Sequence, residues 1–109
     1  MKKTHGISLL LFLGAALAAY AADAQANWEE HCTSCHGSDG KGQTKMGKKL
    51  KIRDLTDVKV QAEFSDEQAF KAIKEGVVDQ NGKTRMKAIE AISDEAMKAL
   101  IPIIRDFKK

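Results

Sequence analysis

Hydrophobic positions recur at helical spacing in three stretches of the chain. Trp28, Cys32 and then Cys35 or His36 fall three and four apart, which places them on one face of a short helix. Asn27 is placed to cap that helix, with Glu30 three positions on as in a capping box. Ala69, Phe70, Ile73 and Val77 form the apolar stripe of a second helix, predicted from Asp66 to Glu75. Ser65 is its cap, Gln68 the return partner and Gly76 its stop. Met97, Leu100, Ile101 and Ile104 make the buried face of a third helix starting after Ser93, with Asp94 and Glu95 in its first turn where they oppose the helix dipole. Pro102 removes a backbone hydrogen bond inside this helix, so a kink or an early end is expected there.

The intervening segments lack such periodicity. Residues 37–47 carry Gly37, Gly40, Gly42 and Gly47 among polar side chains and read as a loop. Residues 48–63 hold scattered apolar anchors, Leu50, Ile52, Leu55, Val58 and Val60, and are expected to be irregular with one short helix. Residues 79–85 read as a loop turning at Asn81-Gly82. No stretch makes a convincing strand, so the expected fold class is all-α.

Residues 1–26 have a different character. Met1-Lys2-Lys3 is a short positive region, Ile7 to Ala19 is apolar apart from Ser8 and Gly14, and Ala24-Gln25-Ala26 is a small-x-small sequence. That order is the pattern of a cleaved secretory leader. The apolar run is short against the roughly 20 residues of a membrane span. The expectation is therefore export to the periplasm, a single domain over residues 27–109, and no membrane span after cleavage. Ala19-Tyr20-Ala21 offers a second cleavage site.

With 109 residues, 18 Lys and Arg against 15 Asp and Glu, and a net charge of +3, the chain is one nearly neutral domain. Nucleic-acid-binding domains are usually strongly basic, and this balance excludes that class. Beyond the leader the only aromatics are Trp28, Phe64, Phe70 and Phe107. A domain this small struggles to build a sufficient core without a disulfide, a metal or a cofactor. The two cysteines, Cys32 and Cys35, would close only a tiny loop, and such a bridge adds little stability.

Cys32-Thr33-Ser34-Cys35-His36 is C-x-x-C-H, the signature of covalent haem attachment. On a helix both thiols lie on one face, in reach of neighbouring vinyl groups of one macrocycle. The histidine directly after can bring its imidazole beneath the ring as an axial ligand of iron. Two other readings compete. A redox dithiol expects a βαβ setting, which this helical pattern does not offer. A closed zinc site needs a fourth ligand beside Cys32, Cys35 and His36, and His31 sits on the same short helix.

The chain resembles the small bacterial class I cytochromes c. The resemblance rests on Trp28 four residues before Cys32, the Gly37-Ser38-Asp39-Gly40-Lys41-Gly42 loop, Leu55-Thr56-Asp57, the Gly82-Lys83-Thr84-Arg85-Met86-Lys87-Ala88 segment, and Ser93-Asp94-Glu95 leading to Leu100–Phe107. It implies an all-α class I fold of three to four helices wrapped around one covalently bound haem c, the first and last helices crossing. It further implies a monohaem single-electron carrier rather than an enzyme. Three departures stand out: Lys87 in place of the proline that often follows the ligand methionine, Pro102 within the terminal helix, and a short segment before the haem motif if cleavage follows Ala26.

Of four methionines, Met1 leaves with the leader. Met46 lies only ten residues after His36, a tight path around the macrocycle edge, and Met97 sits on an apolar helical stripe where methionine usually fills core. Met86, in a segment between two helices and fifty residues after His36, is the expected sixth ligand. Met46 and an open sixth position remain as alternatives. The expected site is thus Cys32 and Cys35 as anchors with His36 and Met86 on iron. Lys45, Lys48, Lys49, Lys51 and Arg53, with Lys83, Arg85 and Lys87 beside Met86, read first as ordinary solvated surface; the sharper reading is a basic rim around the haem edge that steers acidic redox partners. The expected carrier is a monomer. A haem enzyme or sensor with an open coordination position, or a docking subunit of a larger oxidoreductase, would fit the same motif.

Overall fold

The computed structural model describes residues 23–109, so most of the predicted leader lies outside the described residues. The first described helix, α1, occupies residues 23–31. Asn27 lies inside it and does not cap it, because the backbone is already helical upstream of it. Ala24 is 4% exposed, and Asp23, Ala24, Ala26 and Asn27 line a groove with Ser93 and with Glu95, Ala96 and Ala99 of the last helix. After a break at Cys32 the chain resumes as α2, Thr33–His36.

Where a loop was expected, Thr44 starts a helix, α3, Lys45–Leu50. Its hydroxyl accepts from the Gly47 amide and donates to the Cys35 carbonyl, so one side chain caps α3 and ties it beneath α2. Gly47 is the contact residue. A Cβ there would come within 2.7 Å of the Cys35 carbonyl oxygen and closer still to that of Gly42, so only glycine lets the two helices approach. A short helix, α4, Val58–Gln61, follows, capped by Asp57, in line with the one short helix expected in this region.

Helix α5, Asp66–Glu75, forms with the Ser65–Gln68 capping box complete on both sides. Residues 79–85 differ from the expected loop, and Val77, expected on the buried stripe of this helix, lies beyond Gly76 in a strand and is 39% exposed. Residues 77–86 form an antiparallel hairpin of β1, Val77–Val78, and β2, Thr84–Met86, with Val77 opposite Met86. The Asp79 carboxylate closes the turn by accepting from the Asn81 and Lys83 amides. Helix α6, Asp94–Asp106, is capped by Ser93 and continues through Pro102 without ending early.

The core is the expected apolar face of α6, Met97, Leu100, Ile101 and Ile104, packed with Trp28, Cys32, Leu55, Val60 and Ile73. Trp28 is 2% exposed, and its ring lies 5.0 Å from that of Phe107. Burying these side chains is the main stabilising term, worth on the order of 1.5–3 kcal/mol each. The buried Gln61 amide donates to the Leu55 and Ile104 carbonyls, and Arg105 donates to Gln61 Oε1, the Gln61 carbonyl and the Phe64 carbonyl. This knot holds the 55–64 segment, α4 included, against α6. Among the described residues no helix is long and apolar enough to cross a membrane.

Candidate functional site

Cys32 accepts the turn from α1 and passes it to α2: its amide donates to the Trp28 carbonyl, and the His36 amide donates to the Cys32 carbonyl. Trp28, Cys32 and His36 therefore stack one turn apart on a single face. The two cysteines form no disulfide with each other; Cys32 is buried and Cys35 half-buried. Burial, with a smaller push from Cys35, raises the Cys32 thiol to about 11, so it stays protonated in the unmodified chain. Burial also lowers the basicity of His36, which favours the neutral imidazole with a lone pair to offer. Its Nδ1 and the Trp28 indole nitrogen are buried without a protein partner.

Three cavities open around these residues, and His36 and Met86 line all of them. The first has walls of Trp28, Cys32, Leu55, Phe64, Ile73 and Ile104. The second runs along Cys32, Cys35, Met46, Leu50 and Ile89. The third is lined by Ile52, Leu55, Phe64 and Val77. Together they form a largely apolar slot with an imidazole contributed by α2 and a thioether by β2. The sequence-predicted residues Cys32, Cys35, His36 and Met86 are thus brought together around one space. Met46, 42% exposed on α3, borders only the second cavity.

The donor set decides what can sit there. Among the described residues no three His, Cys, Asp or Glu side chains converge on a point where a metal ion could bind, so the zinc reading finds no ligand set. Two thiols on one helical face, an unpartnered buried imidazole and wide apolar walls fit a flat apolar macrocycle joined through sulfur.

Comparison with known proteins agrees. Residues 19–102 match the family described as cytochrome c oxidase, cbb3-type, subunit III. This chain belongs to that cytochrome c family. A solved structure named KustC0563 c-type cytochrome is 34% identical, with a TM-score of 0.68 over 79% of this chain and 98% of its own. A tyrosine-to-phenylalanine point mutant of that cytochrome gives 34% and 0.66 over 79% and 99%. No curated protein matches the chain. The cytochrome is a mostly helical carrier of electrons with one covalently bound haem c and its iron.

The rim of the slot carries more cations than anions, Glu63 of the third cavity being paired with Arg53. Lys51, Arg53 and Arg85 border the third cavity, Arg85 and Lys87 the second. Lys45, Lys48, Lys49 and Lys83 are exposed nearby in the sequence. Sequence reasoning placed Arg85 in this rim and went no further. In the structure its guanidinium reaches the carbonyl of Leu50. It also treated Gly76 only as a helix stop, whereas Gly76 abuts the Met86 backbone.

Proposed function

We propose that this cytochrome is a periplasmic single-electron shuttle, with Cys32 and Cys35 as thioether anchors, His36 as the proximal ligand and Met86 as the distal ligand. The supporting observation is that His36 and Met86, fifty residues apart in sequence, line each of the three cavities of the slot. Bound haem supplies a one-electron couple between iron(II) and iron(III). The chain's own residues set its terms. Trp28, Leu55, Phe64 and Ile104 exclude water from the macrocycle, and a soft thioether favours the reduced iron and raises the potential. Two protein ligands leave no position for substrate, so electrons pass without bond rearrangement. The leader-like residues 1–26 support export, and Lys51 and Lys87 at the slot's edge support steering of acidic redox partners.

Replacing Met86 with alanine tests this reading. The oxidised protein is expected to lose its weak near-infrared sulfur-to-iron(III) band, the midpoint to fall, and the reduced protein to bind carbon monoxide. An unchanged band and midpoint would overturn the assignment of Met86. The family description, an oxidase subunit, supports a second reading in which the domain serves as a docked subunit. Recovery of the native protein free of a larger complex would exclude it.

A further inference from the structure

The hairpin that carries Met86 is lightly held. Its first strand is exposed, Val77 at 39% and Val78 at 60%. The turn glycine, Gly82, has no atom near enough to meet even an added Cβ. Behind Met86, the Ile89 amide donates to the Ile73 carbonyl and so fixes one end to α5. Toward the opposite wall of the slot there is, among the described residues, a single hydrogen bond from residues 77–88 to the part of the chain before α5. It runs from the Arg85 guanidinium to the carbonyl of Leu50.

That acceptor is well chosen. Leu50 ends α3, and Lys51 after it turns left-handed at φ 55°, so the Leu50 carbonyl lies at the negative end of the helix dipole. A half-buried cation there makes a charge-assisted bond that complements the dipole. Arg85 borders two of the cavities beside Met86 and spans from one wall of the slot to the other.

We propose that Arg85 is a positioning residue: a latch from the methionine strand to the C-terminus of α3 that keeps the Met86 thioether on the iron. This rests on Met86 being the distal ligand. The latch holds the strand by its neighbour in sequence, so the equilibrium between ligated and displaced methionine depends on a bond that touches neither the iron nor its ligands. Arg53 does not substitute, because its guanidinium is taken by Glu63 at 2.8 Å.

The experiment is an imidazole titration of the oxidised holoprotein, in which added imidazole must displace the methionine to bind. A charge-assisted hydrogen bond is among the stronger ones a side chain can make. Arg85→Gln should therefore bind imidazole about ten-fold more tightly or better, a tenfold change being about 1.4 kcal/mol. Arg85→Lys, which keeps a cation in reach, should stay within about three-fold of wild type. In the Met86→Ala background Arg85→Gln should have no effect, as expected of residues that act as a unit. Wild-type affinity in Arg85→Gln, or an equal change in both backgrounds, would overturn the latch. If Met86→Ala alone binds imidazole no more tightly than wild type, the ligand assignment fails instead. Thermal unfolding by far-UV circular dichroism separates loss of the latch from loss of the fold.

Discussion

Gly76 lies against the backbone of Met86. Its φ is +77°, and a Cβ added to it would stand 2.7 Å from the Met86 carbonyl oxygen and 2.9 Å from the Ala88 amide nitrogen. The same residue that ends α5 therefore sets how closely the methionine strand approaches the rest of the slot.

Gly76→Ala should push the Met86–Ala88 segment outward. The positive φ alone costs about 1–2 kcal/mol for a residue with a side chain, and the close contacts add to it. The expected result is loss of the near-infrared sulfur-to-iron band with a fall in thermal stability. Gly82→Ala is the control, since φ there is +78° but nothing lies within 4 Å. It should lower stability and leave the band intact, both readable by spectroscopy during a thermal melt.

Trp28 is the sole tryptophan and sits 5.7 Å, ring to ring, from His36. Its emission should be strongly quenched by the haem in the folded cytochrome. Truncation to alanine should destabilise by about 3–5 kcal/mol, the usual cost of emptying a large aromatic site. Bright emission from folded holoprotein would contradict its placement.

Gln61→Ala should destabilise by about 2–4 kcal/mol in denaturant unfolding, because it strands the Leu55 and Ile104 carbonyls and weakens the seat of Arg105. Asp66→Ala removes only the Arg105 partner that is 69% exposed. That change should stay below about 1 kcal/mol. Equal effects would mean that Gln61 is not the centre of the knot.

Asp54 accepts from the Thr56 hydroxyl at 2.6 Å and from its amide at 2.8 Å, and these bonds hold its carboxyl below the ordinary value of 3.8. A group whose acidity is strengthened by folding stabilises the native state fully above its unfolded pKa. That contribution disappears as pH falls through the folded value. Thr56→Val should move the Asp54 titration, followed by NMR, back up toward 3.8. An unmoved titration would reject the hydroxyl as the main cause.

Ala24 is buried, and its helix includes residues 23–26. Cleavage after Ala26 would remove it, whereas cleavage after Ala19-Tyr20-Ala21 would keep it. The intact mass of the exported protein is expected to include residues 23–26. A mass beginning at Asn27 would exclude the upstream cut.

Helices α5 and α6 were legible because their signals are local. Ser65, Gln68, Gly76 and Ser93 lie beside the elements they bound, and the apolar stripes of both helices repeat at a helical period. The hairpin was not, since strands of two and three residues have no period to detect. Asn81-Gly82 next to Val77-Val78 was the available hint, being a common hairpin turn beside β-branched residues. Helix α3 was hidden by a glycine and a run of lysines. Its one marker, the Thr44 cap, gains meaning only from the Cys35 carbonyl above it. Asn27 misled because a capping pattern can occur within a helix that has already begun. The haem motif was readable as a unit, but the Arg85–Leu50 bond joins residues thirty-five apart and leaves no pattern in sequence.

The attachment residues belong to one continuous stretch, Cys32 to His36, whereas the thioether arrives on a strand positioned by α5 and braced from α3. With His36 and Met86 as the proposed ligands, an unfolding chain would keep its pigment and its near-side imidazole and surrender the far-side sulfur as soon as those supports separate. The colour of the protein is therefore a built-in gauge of tertiary integrity.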